Sequence, residues 1–561
     1  MFISFSAIDS PQSSNRLPST GRGRANTANT YGIWPLLILT AGFLLRIIPA
    51  WRFFLNPDEA LHHLLSDQPT LALAYKAALT NSHPPLLILV LYYVRLIGQS
   101  EFVLRLPSVL AGTTCCWFVY QWLKLIADRR TAFIGLLLSS FAPAMIELSS
   151  EIRQYALLMF FIAACLYLSE RAVREDSPLL MILFSLSLYG ALFVHYSSLL
   201  FAAVIGIFML IRLYPYSSRM RLASIWAAGQ MVGAAIACYY VFTHMRKLRE
   251  TGMVHSDFET YLRKSIYHPG DINPLAFVAG QTLRVFTYLL SHGVMGTLAL
   301  IAFAAGIALL LRTKSSSKHT EPTPHQLALL LGLPFLINCA AALASLYPYG
   351  GTRHAAWLLI FAIAGASIGL ARIPGRLGIT ALVITAALAV CNFFPAPPPL
   401  IRPRNQNRAL MANAVSYLRQ NVSPGALVFA DYESALELGY YACGHGIVQE
   451  FPPFETYVEA PCGLDTVITP RPDSWKFYAG DLTARLNAVS AQFHLTPGTK
   501  LWLFDAGWIT DSAPSIARDP NVACLNPHFF GENVFLCQLT VPPTAEANSK
   551  ASSENPTVAR K

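Results

Sequence analysis

Long apolar segments alternate with short polar ones between residues 33 and 393. The first apolar segment covers about 33–54, and a membrane-crossing helix needs roughly 20 such residues. Polar breaks at 60–80 predict short helices at the membrane surface, while the run at 84–98 is marginally long and contains Arg95. The pattern predicts a polytopic α-helical membrane protein with roughly 11 crossings, within two.

The pattern changes near residue 394. Residues 395–406 form a proline-rich stretch typical of a stiff linker. Beyond it, two helices and two strands are predicted, at about 407–420, 426–430, from 434 onward and at 501–504. We therefore expect a membrane domain at 31–394, a small soluble α/β domain at 407–543 and a disordered tail at 544–561.

Composition supports this division. The chain has 561 residues, of which 54% are hydrophobic and only 13% are charged, which is too little polar surface for a soluble protein of this size. The net charge of +10 could indicate a nucleic-acid partner, but the basic residues lie in short clusters between apolar runs and form no continuous stripe. We expect no nucleic acid partner and assign these clusters to membrane topology.

Charge bias predicts the orientation. Five basic clusters belong in the cytoplasm, at 124–130, 171–174, 212–221, 312–318 and 372–376. The Ser-, Asn- and Arg-rich residues 1–30 are then cytoplasmic and disordered, and the soluble domain lies outside the cell (inner) membrane, in the periplasm. This alternation is consistent only if 84–98 re-enters on the outer side, or if a neighbouring run does not fully cross.

Ten cysteines divide by region. Six lie in apolar runs, where cysteine behaves as a small buried hydrophobe. The other four allow disulfides in an oxidising compartment, and sequence proximity favours Cys443 with Cys462 and Cys524 with Cys537 among three possible connectivities. No CxxC pair or Cys/His spacing supports a structural zinc site.

Asp58 and Glu59 follow the first apolar segment directly. One interpretation is that they are solvated loop residues. The other is that they do chemistry or bind a cation, because a carboxylate near hydrocarbon is energetically unfavourable and is usually functional. The neighbouring His62 and His63 could bind a metal only with difficulty, since adjacent side chains point their rings in different directions.

Two further polar segments are predicted on the outer side. In the first, Glu151 suits a helix N-terminus, and Arg153 needs either a carboxylate partner such as Asp58 or a ligand phosphate. In the second, two glycines precede Arg353 and His354, which either form a phosphate cradle or simply extend to the lipid headgroups. His195 and Tyr196 end another span, where a hydrogen-bonded interfacial histidine is the commoner case.

Together these motifs resemble the GT-C superfamily of membrane glycosyltransferases, specifically its protein-mannosyltransferase-like and aminoarabinose-transferase-like branch. The resemblance covers residues 33–370 and rests on short strings in a matching order. These are Asp58-Glu59, His83-Pro84-Pro85-Leu86, Gly98 with Glu101, Leu104-Arg105-Leu106-Pro107-Ser108, Glu151-Ile152-Arg153-Gln154-Tyr155, His195-Tyr196 and Gly351-Thr352-Arg353-His354.

The resemblance implies that a sugar moves, with inversion, from a polyprenyl-phosphate donor to a glycolipid, glycan or protein acceptor on the outer face of the membrane. Asp58 would be the general base, and Glu59 would assist it or hold it in place. Arg153, Arg353 and His354 would bind the donor phosphate, with no cofactor. We also predict no metal, because this sequence lacks the clear acidic residue followed by a metal-ligand pattern that some relatives have. The implied substrate-binding residues are His83, Glu151, Tyr155, His195, Tyr196, Tyr347 and Tyr349.

Two other functions fit a polytopic protein. A transporter of a lipid-linked or anionic substrate would explain the spans, but transporters of this size tend to show inverted repeats with helices broken near mid-membrane, and no repeat is evident. A receptor scaffold for the soluble domain would not need Asp58, Arg153 and Arg353 on its outer rim.

Overall fold

The computed structural model describes residues 32–214, 219–250, 262–314, 321–393, 407–446, 455–463, 465–471, 482–508, 522 and 524–541. Three sequence-based predictions lie outside these ranges: the disordered N-terminus at 1–30, the linker at 395–406 and the tail at 544–561.

The membrane domain is built from helices, in agreement with the prediction. In chain order they are α1 Trp34–Arg52, α2 Pro57–Ser66, α3 Leu71–Ala78, α4 Leu86–Val94, α5 Glu101–Ile126, α6 Arg129–Phe141, α7 Pro143–Glu147, α8 Gln154–Glu175, α9 Pro178–Leu192, α10 Ser198–Leu213, α11 Met220–Tyr240, α12 Arg246–Glu250, α13 Pro274–Leu290, α14 Gly293–Arg312, α15 Pro324–Leu343, α16 Ala356–Ala371 and α17 Leu377–Phe393.

Helix length separates crossing from non-crossing segments. Among the described residues, seven helices are long and apolar enough to cross a membrane, and three apolar helices are shorter. Helices α2 and α3 confirm the short helices predicted at 60–80. Helix α4 has nine residues and covers only about 14 Å, so it does not cross. The predicted number of crossings stays a prediction.

Helix α16 forms the centre of the bundle, and its side chains from Ala356 to Ile368 are buried throughout. Small residues allow α14 to pack closely against it, because a side chain at Gly306 would lie 2.3 Å from the carbonyl oxygen of Gly365. The indole of Trp357 donates to Asn338 at 2.9 Å and fixes α16 to α15. The segment that begins with Arg353 is thereby attached to a rigid core helix.

A fully buried arginine, Arg46, stabilises the break between α6 and α7. Helix α6 ends before Pro143, which leaves its last carbonyls without helical partners. The Arg46 guanidinium donates to the carbonyls of Ser139 and Ser140, both at 3.0 Å, as expected for a cation at a helix C-terminus. Since Ser150 donates to the carbonyl of Arg46 at 3.2 Å, the same residue anchors the segment that leads to Arg153.

The described part of the C-terminal region contains a six-stranded sheet in the order β2-β3-β1-β4-β6-β5. Strand β1 is parallel to β3 and β4, and the other neighbours are antiparallel. The strands are β1 Leu427–Ala430, β2 Tyr457–Cys462, β3 Asp465–Pro470, β4 Lys500–Ala506, β5 Cys524–Phe529 and β6 Val534–Thr540; the helices are α18 Arg408–Asn421, α19 Tyr432–Leu438 and α20 Leu482–Gln492. All four predicted elements are present.

Helices α18 and α20 cover opposite faces of this sheet. Met411 and Leu418 of α18 pack in one apolar cluster with Val428, whereas Leu486 of α20 packs in another with Phe429. Successive residues of a strand point to opposite faces, so Val428 and Phe429 contribute to different cores. The soluble unit is an α/β domain, as its sequence predicts.

One of the two predicted disulfides is formed. Cys443 and Cys462 are bonded, which confirms the first pairing. Cys524 and Cys537 are free thiols, so the second pairing is wrong. In the antiparallel register Cys524 lies opposite Leu539, which makes Cys537 a diagonal neighbour and not the directly facing residue.

Candidate active site

Helix α2 places Asp58 in its first turn. Asn56 is the N-cap and accepts from the backbone N–H of Glu59 at 3.1 Å, while the Glu59 carboxylate accepts from the N–H of Asn56 at 3.0 Å. Pro57 occupies the first helical position, where its missing N–H costs nothing. This capping box fixes the start of the helix and, with it, the direction of Asp58.

Glu59 is 1% exposed and connects three parts of the membrane domain. It accepts two hydrogen bonds from the Arg105 guanidinium, at 2.6 and 2.7 Å, and one from the N–H of Ile152 at 2.8 Å. Arg105 also donates to the carbonyls of Ala50, Phe53 and Phe54 at the end of α1. This arrangement favours a positioning role for Glu59, the second of the two roles that the resemblance allowed.

Asp58 is 14% exposed and lies between two guanidinium groups. Its Oδ2 atom accepts a hydrogen bond from Arg153, which is almost fully buried, and forms an ion pair with Arg353 at 3.2 Å. Arg153 therefore has the carboxylate partner that was one of its two predicted alternatives. Arg353 is 33% exposed, and its guanidinium is directed at Asp58. These residues are far apart in sequence and meet at one point.

A cluster of aromatic rings lies beside these charges. The rings of His83 and His195 stack at 5.0 Å, and Tyr155 lies 5.3 Å from His195 and 6.2 Å from His354. Burial, together with the positive groups around it, holds the pKa of His83 well below its usual value. The His83 ring is therefore uncharged at neutral pH.

The other predicted substrate-binding residues do not all belong to this ring cluster. Glu151 is half-buried, and its carbonyl accepts from the N–H of Arg153 at 2.8 Å. Tyr347 donates to the carbonyl of His354 at 3.0 Å and so supports that segment. Tyr196 bonds His244 at 2.5 Å. Tyr349 is buried, with its hydroxyl 2.6 Å from Thr282, apart from the ring cluster.

Sequence reasoning gave no role to His62 and Arg105. Arg105 had a usable signal, because an arginine five residues into a span requires an anionic partner. The His62 ring donates to the carbonyl of Asp58 at 2.5 Å, whereas the His63 ring packs edge-on against Tyr440. The two rings face different surroundings, as predicted. Within the ranges described above, no group of three or more metal-ligating side chains is arranged to hold a metal ion.

The soluble domain contacts the segment that carries Asp58. The Tyr441 hydroxyl accepts from the N–H of Leu55 at 2.8 Å and donates to Glu101 at 3.2 Å. The adjacent Tyr440 donates to the carbonyl of Gln99 at 2.6 Å. Both tyrosines belong to the π-helical turn Gly439–Cys443, which the disulfide at Cys443 ties to β2. The soluble domain therefore packs directly against the segment that leads to Asp58.

We expect Tyr441→Phe to lower the turnover rate of the protein about three- to tenfold, because a buried N–H three residues before Asp58 loses its acceptor. Hydrogen exchange of the segment around Leu55 should become faster. The matched control is Tyr417→Phe, a tyrosine of α18 whose ring packs on His528. Equal effects of both substitutions on exchange and turnover would show that Tyr441 contributes only general stability.

Part of the chain matches the model of a known protein family. The model of the dolichyl-phosphate-mannose-protein mannosyltransferase family matches residues 82–247, which include His83, Arg153 and His195. No curated protein matches the chain by sequence.

Solved structures share the fold at low identity. ArnT from Cupriavidus metallidurans in the apo state is 12% identical, with a TM-score of 0.51 over 90% of this chain and 97% of that chain. ArnT from the same organism bound to undecaprenyl phosphate is 13% identical, with a TM-score of 0.52 over 91% and 98% of the two chains. A segment of this chain thus matches the mannosyltransferase family model, and the chain shares the fold of ArnT, in agreement with the GT-C-like fold that its motifs predict.

Proposed function

We propose that this protein transfers a sugar from a polyprenyl-phosphate donor to a hydroxyl or amide of a glycolipid, glycan or protein on the outer face of the membrane, with inversion. The observation that carries this proposal is the meeting of Asp58 with Arg153 and Arg353. One carboxylate and two guanidiniums are the groups needed for a base and a phosphate clamp. The structural likeness to ArnT bound to undecaprenyl phosphate supports the choice of donor.

The reaction is a single displacement at the anomeric carbon. The acceptor atom attacks this carbon as Asp58 removes its proton, and the bond between the carbon and the phosphate oxygen breaks with its electron pair on the phosphate. Attack opposite the leaving group inverts the configuration. Arg153 and Arg353 stabilise the departing phosphate through charge-assisted hydrogen bonds.

Charge balance favours this division of roles. A polyprenyl-phosphate sugar is a phosphodiester with one negative charge, so donor and Asp58 together carry two negative charges opposite two guanidiniums. After transfer the proton is on Asp58, and the polyprenyl phosphate carries close to two negative charges. Charge is therefore balanced among Asp58, the donor phosphate and the two guanidiniums before and after the reaction, and the guanidiniums shift from the carboxylate toward the phosphate as charge moves.

Glu59 acts in this scheme through position and not through proton transfer. Its carboxylate already accepts from Arg105, Asn56 and Ile152, which hold it in the protein interior. Because Ile152 adjoins Arg153, the same carboxylate sets the distance between base and clamp. His83, Tyr155, His195 and His354 provide ring faces and polar atoms for the substrate next to Asp58.

A transfer assay tests the function. Purified full-length protein, reconstituted in lipid, would receive radiolabelled polyprenyl-phosphate hexoses and pentoses together with envelope lipid, glycan and protein fractions. We expect label to move to an acceptor with release of polyprenyl phosphate. Vectorial movement of an intact lipid-linked substrate across vesicles, with no transfer from any donor, would instead support the transporter alternative.

We expect Arg353→Ala to weaken binding of the donor by about 2 kcal/mol, or roughly thirtyfold, because the donor phosphate loses a charge-assisted partner. This is the lower end of the range for such pairs because Arg353 is one-third exposed. Binding of undecaprenyl phosphate to the reconstituted protein would measure the effect. Arg263→Ala, which removes an exposed arginine paired with Asp271, is the matched control. Unchanged affinity in Arg353→Ala would remove Arg353 from the clamp.

A further inference from the structure

The hydrogen bonds of His62 fix its tautomer. Its Nδ1 atom lies 2.5 Å from the carbonyl oxygen of Asp58, and a carbonyl can only accept, so Nδ1 must carry the proton. In the neutral ring, Nε2 is then a hydrogen-bond acceptor. This atom is buried and has no partner among the described residues. Burial lowers the pKa of His62 to about 4, which keeps the ring neutral at pH 7.

His195 has the opposite tautomer. Its Nδ1 atom accepts from the backbone N–H of Ser197 at 3.1 Å, with the Ser197 hydroxyl 2.8 Å away. An N–H can only donate, so Nδ1 is unprotonated and Nε2 carries the proton. This second Nε2 is also buried with no partner in the described part of the chain. Burial lowers the pKa of His195 to about 3, so this ring is neutral too.

Both histidines belong to the surroundings of Asp58. His62 bonds the Asp58 carbonyl, and the ring of His195 stacks on His83 at 5.0 Å. His83 in turn lies within electrostatic range of His62, His195 and Arg353. One buried acceptor and one buried donor, each in need of a partner, thus lie in the surroundings of the residue that carries the proposed function.

We propose that His62 and His195 form a subsite for the hydroxyl groups of the donor's sugar ring, in which His62 accepts one hydrogen bond and His195 donates another. This inference rests on the proposed function and names the part of the donor that the two rings recognise. A sugar hydroxyl both donates and accepts, so it matches an acceptor and a donor equally well. The ligand class is a neutral polyhydroxy ring.

Phosphate does not fit this pair of atoms. Phosphate oxygens of the donor only accept hydrogen bonds, and the Nε2 atom of His62 also only accepts, so the two would repel. The guanidiniums of Arg153 and Arg353 supply the donors that phosphate needs. The two histidines and the two arginines therefore recognise different parts of one substrate.

The test compares two ligands on the reconstituted full-length protein: undecaprenyl phosphate alone, and the polyprenyl-phosphate sugar that supports transfer. We expect His62→Phe and His195→Phe each to weaken binding of the sugar-bearing donor roughly five- to tenfold and to leave undecaprenyl phosphate unaffected. Gln at either position supplies both an amide oxygen and an amide N–H, so His62→Gln and His195→Gln should restore part of the affinity. His63→Phe, at the next residue of α2, is the matched control.

Equal weakening of both ligands would overturn the subsite and show that the histidines serve the phosphate. Unchanged binding of both ligands would overturn it as well, and so would failure of both Gln variants to improve on Phe. If the wild-type protein transfers no sugar from any donor, the proposed function itself is wrong. If the wild type transfers sugar but its affinity for the donor does not depend on the two histidines, only the subsite is wrong.

Discussion

Asp58→Asn is expected to lower sugar transfer by a factor of about 10² to 10⁴, the range that a positioned general base contributes. Asn has the size of Asp and can still accept a hydrogen bond, but it cannot take the acceptor's proton. The capping box that starts α2 involves Asn56 and Glu59 and is untouched by the change. The variant should therefore fold and insert normally, and its defect should appear in turnover.

Binding of undecaprenyl phosphate should be kept or strengthened in Asp58→Asn. In the structure Arg153 and Arg353 both form ion pairs with the Asp58 carboxylate, so a donor phosphate competes with it for the two guanidiniums. Removing the carboxylate's charge removes that competition. Turnover and donor affinity would then move in opposite directions, which a loss of folding would not produce.

Asp67→Asn is the matched control, because Asp67 is the C-cap of the same helix and pairs with Arg95 at 2.7 Å. It should retain transfer. If Asp58→Asn transfers sugar at the wild-type rate in folded, membrane-inserted protein, Asp58 is not the base.

Local sequence signals were sufficient for the elements with strong periodicity and caps. The first span was predicted at 33–54 and lies at Trp34–Arg52, and the helix predicted at 407–420 lies at Arg408–Asn421. In both cases a continuous apolar or amphipathic pattern fixes the element, and the observed ends differ by two residues at most. The short helices near 60–80 followed in the same way from polar breaks.

The edge strands of the soluble domain had no local sequence pattern from which they could be predicted. Strand β2 contains Pro461 and β5 contains Pro527, and proline argues against a strand when only the sequence is known. Both strands lie at the edges of the sheet, where a missing N–H is tolerated, and β5 is irregular between Leu525 and His528. Only the sheet order reveals that these positions permit proline.

The active-site residue types were visible in the sequence, but their partners were not. Arg153 had two possible partners, and the choice of Asp58 depends on a contact across 95 positions of sequence. Glu59 and Arg105 are 46 residues apart, and nothing local to either residue indicates that they pair. Such pairs are decided by how the helices pack, which periodicity does not determine.

Glu59→Gln is expected to have the largest effect on stability, lowering the free energy of unfolding by about 3 to 5 kcal/mol. The Arg105 guanidinium is 2% exposed, and Glu59 is the carboxylate it bonds at 2.6 and 2.7 Å. Glutamine keeps the shape but leaves a buried charge without its counterion. It also weakens the link to Ile152, so the segment carrying Arg153 should loosen.

Thermal unfolding of the purified variant would measure this loss, and the double variant Glu59→Gln/Arg105→Met supplies the internal control. Removing the guanidinium as well removes the uncompensated charge, so the double variant should be more stable than Glu59→Gln alone. Sugar transfer should stay low in the double variant even where stability recovers. Ile152 still lacks its carboxylate partner, so the distance between Asp58 and Arg153 is no longer fixed. If Glu59→Gln instead unfolds at the wild-type temperature and loses only turnover, Glu59 takes part in proton transfer, and the positioning role assigned to it is wrong.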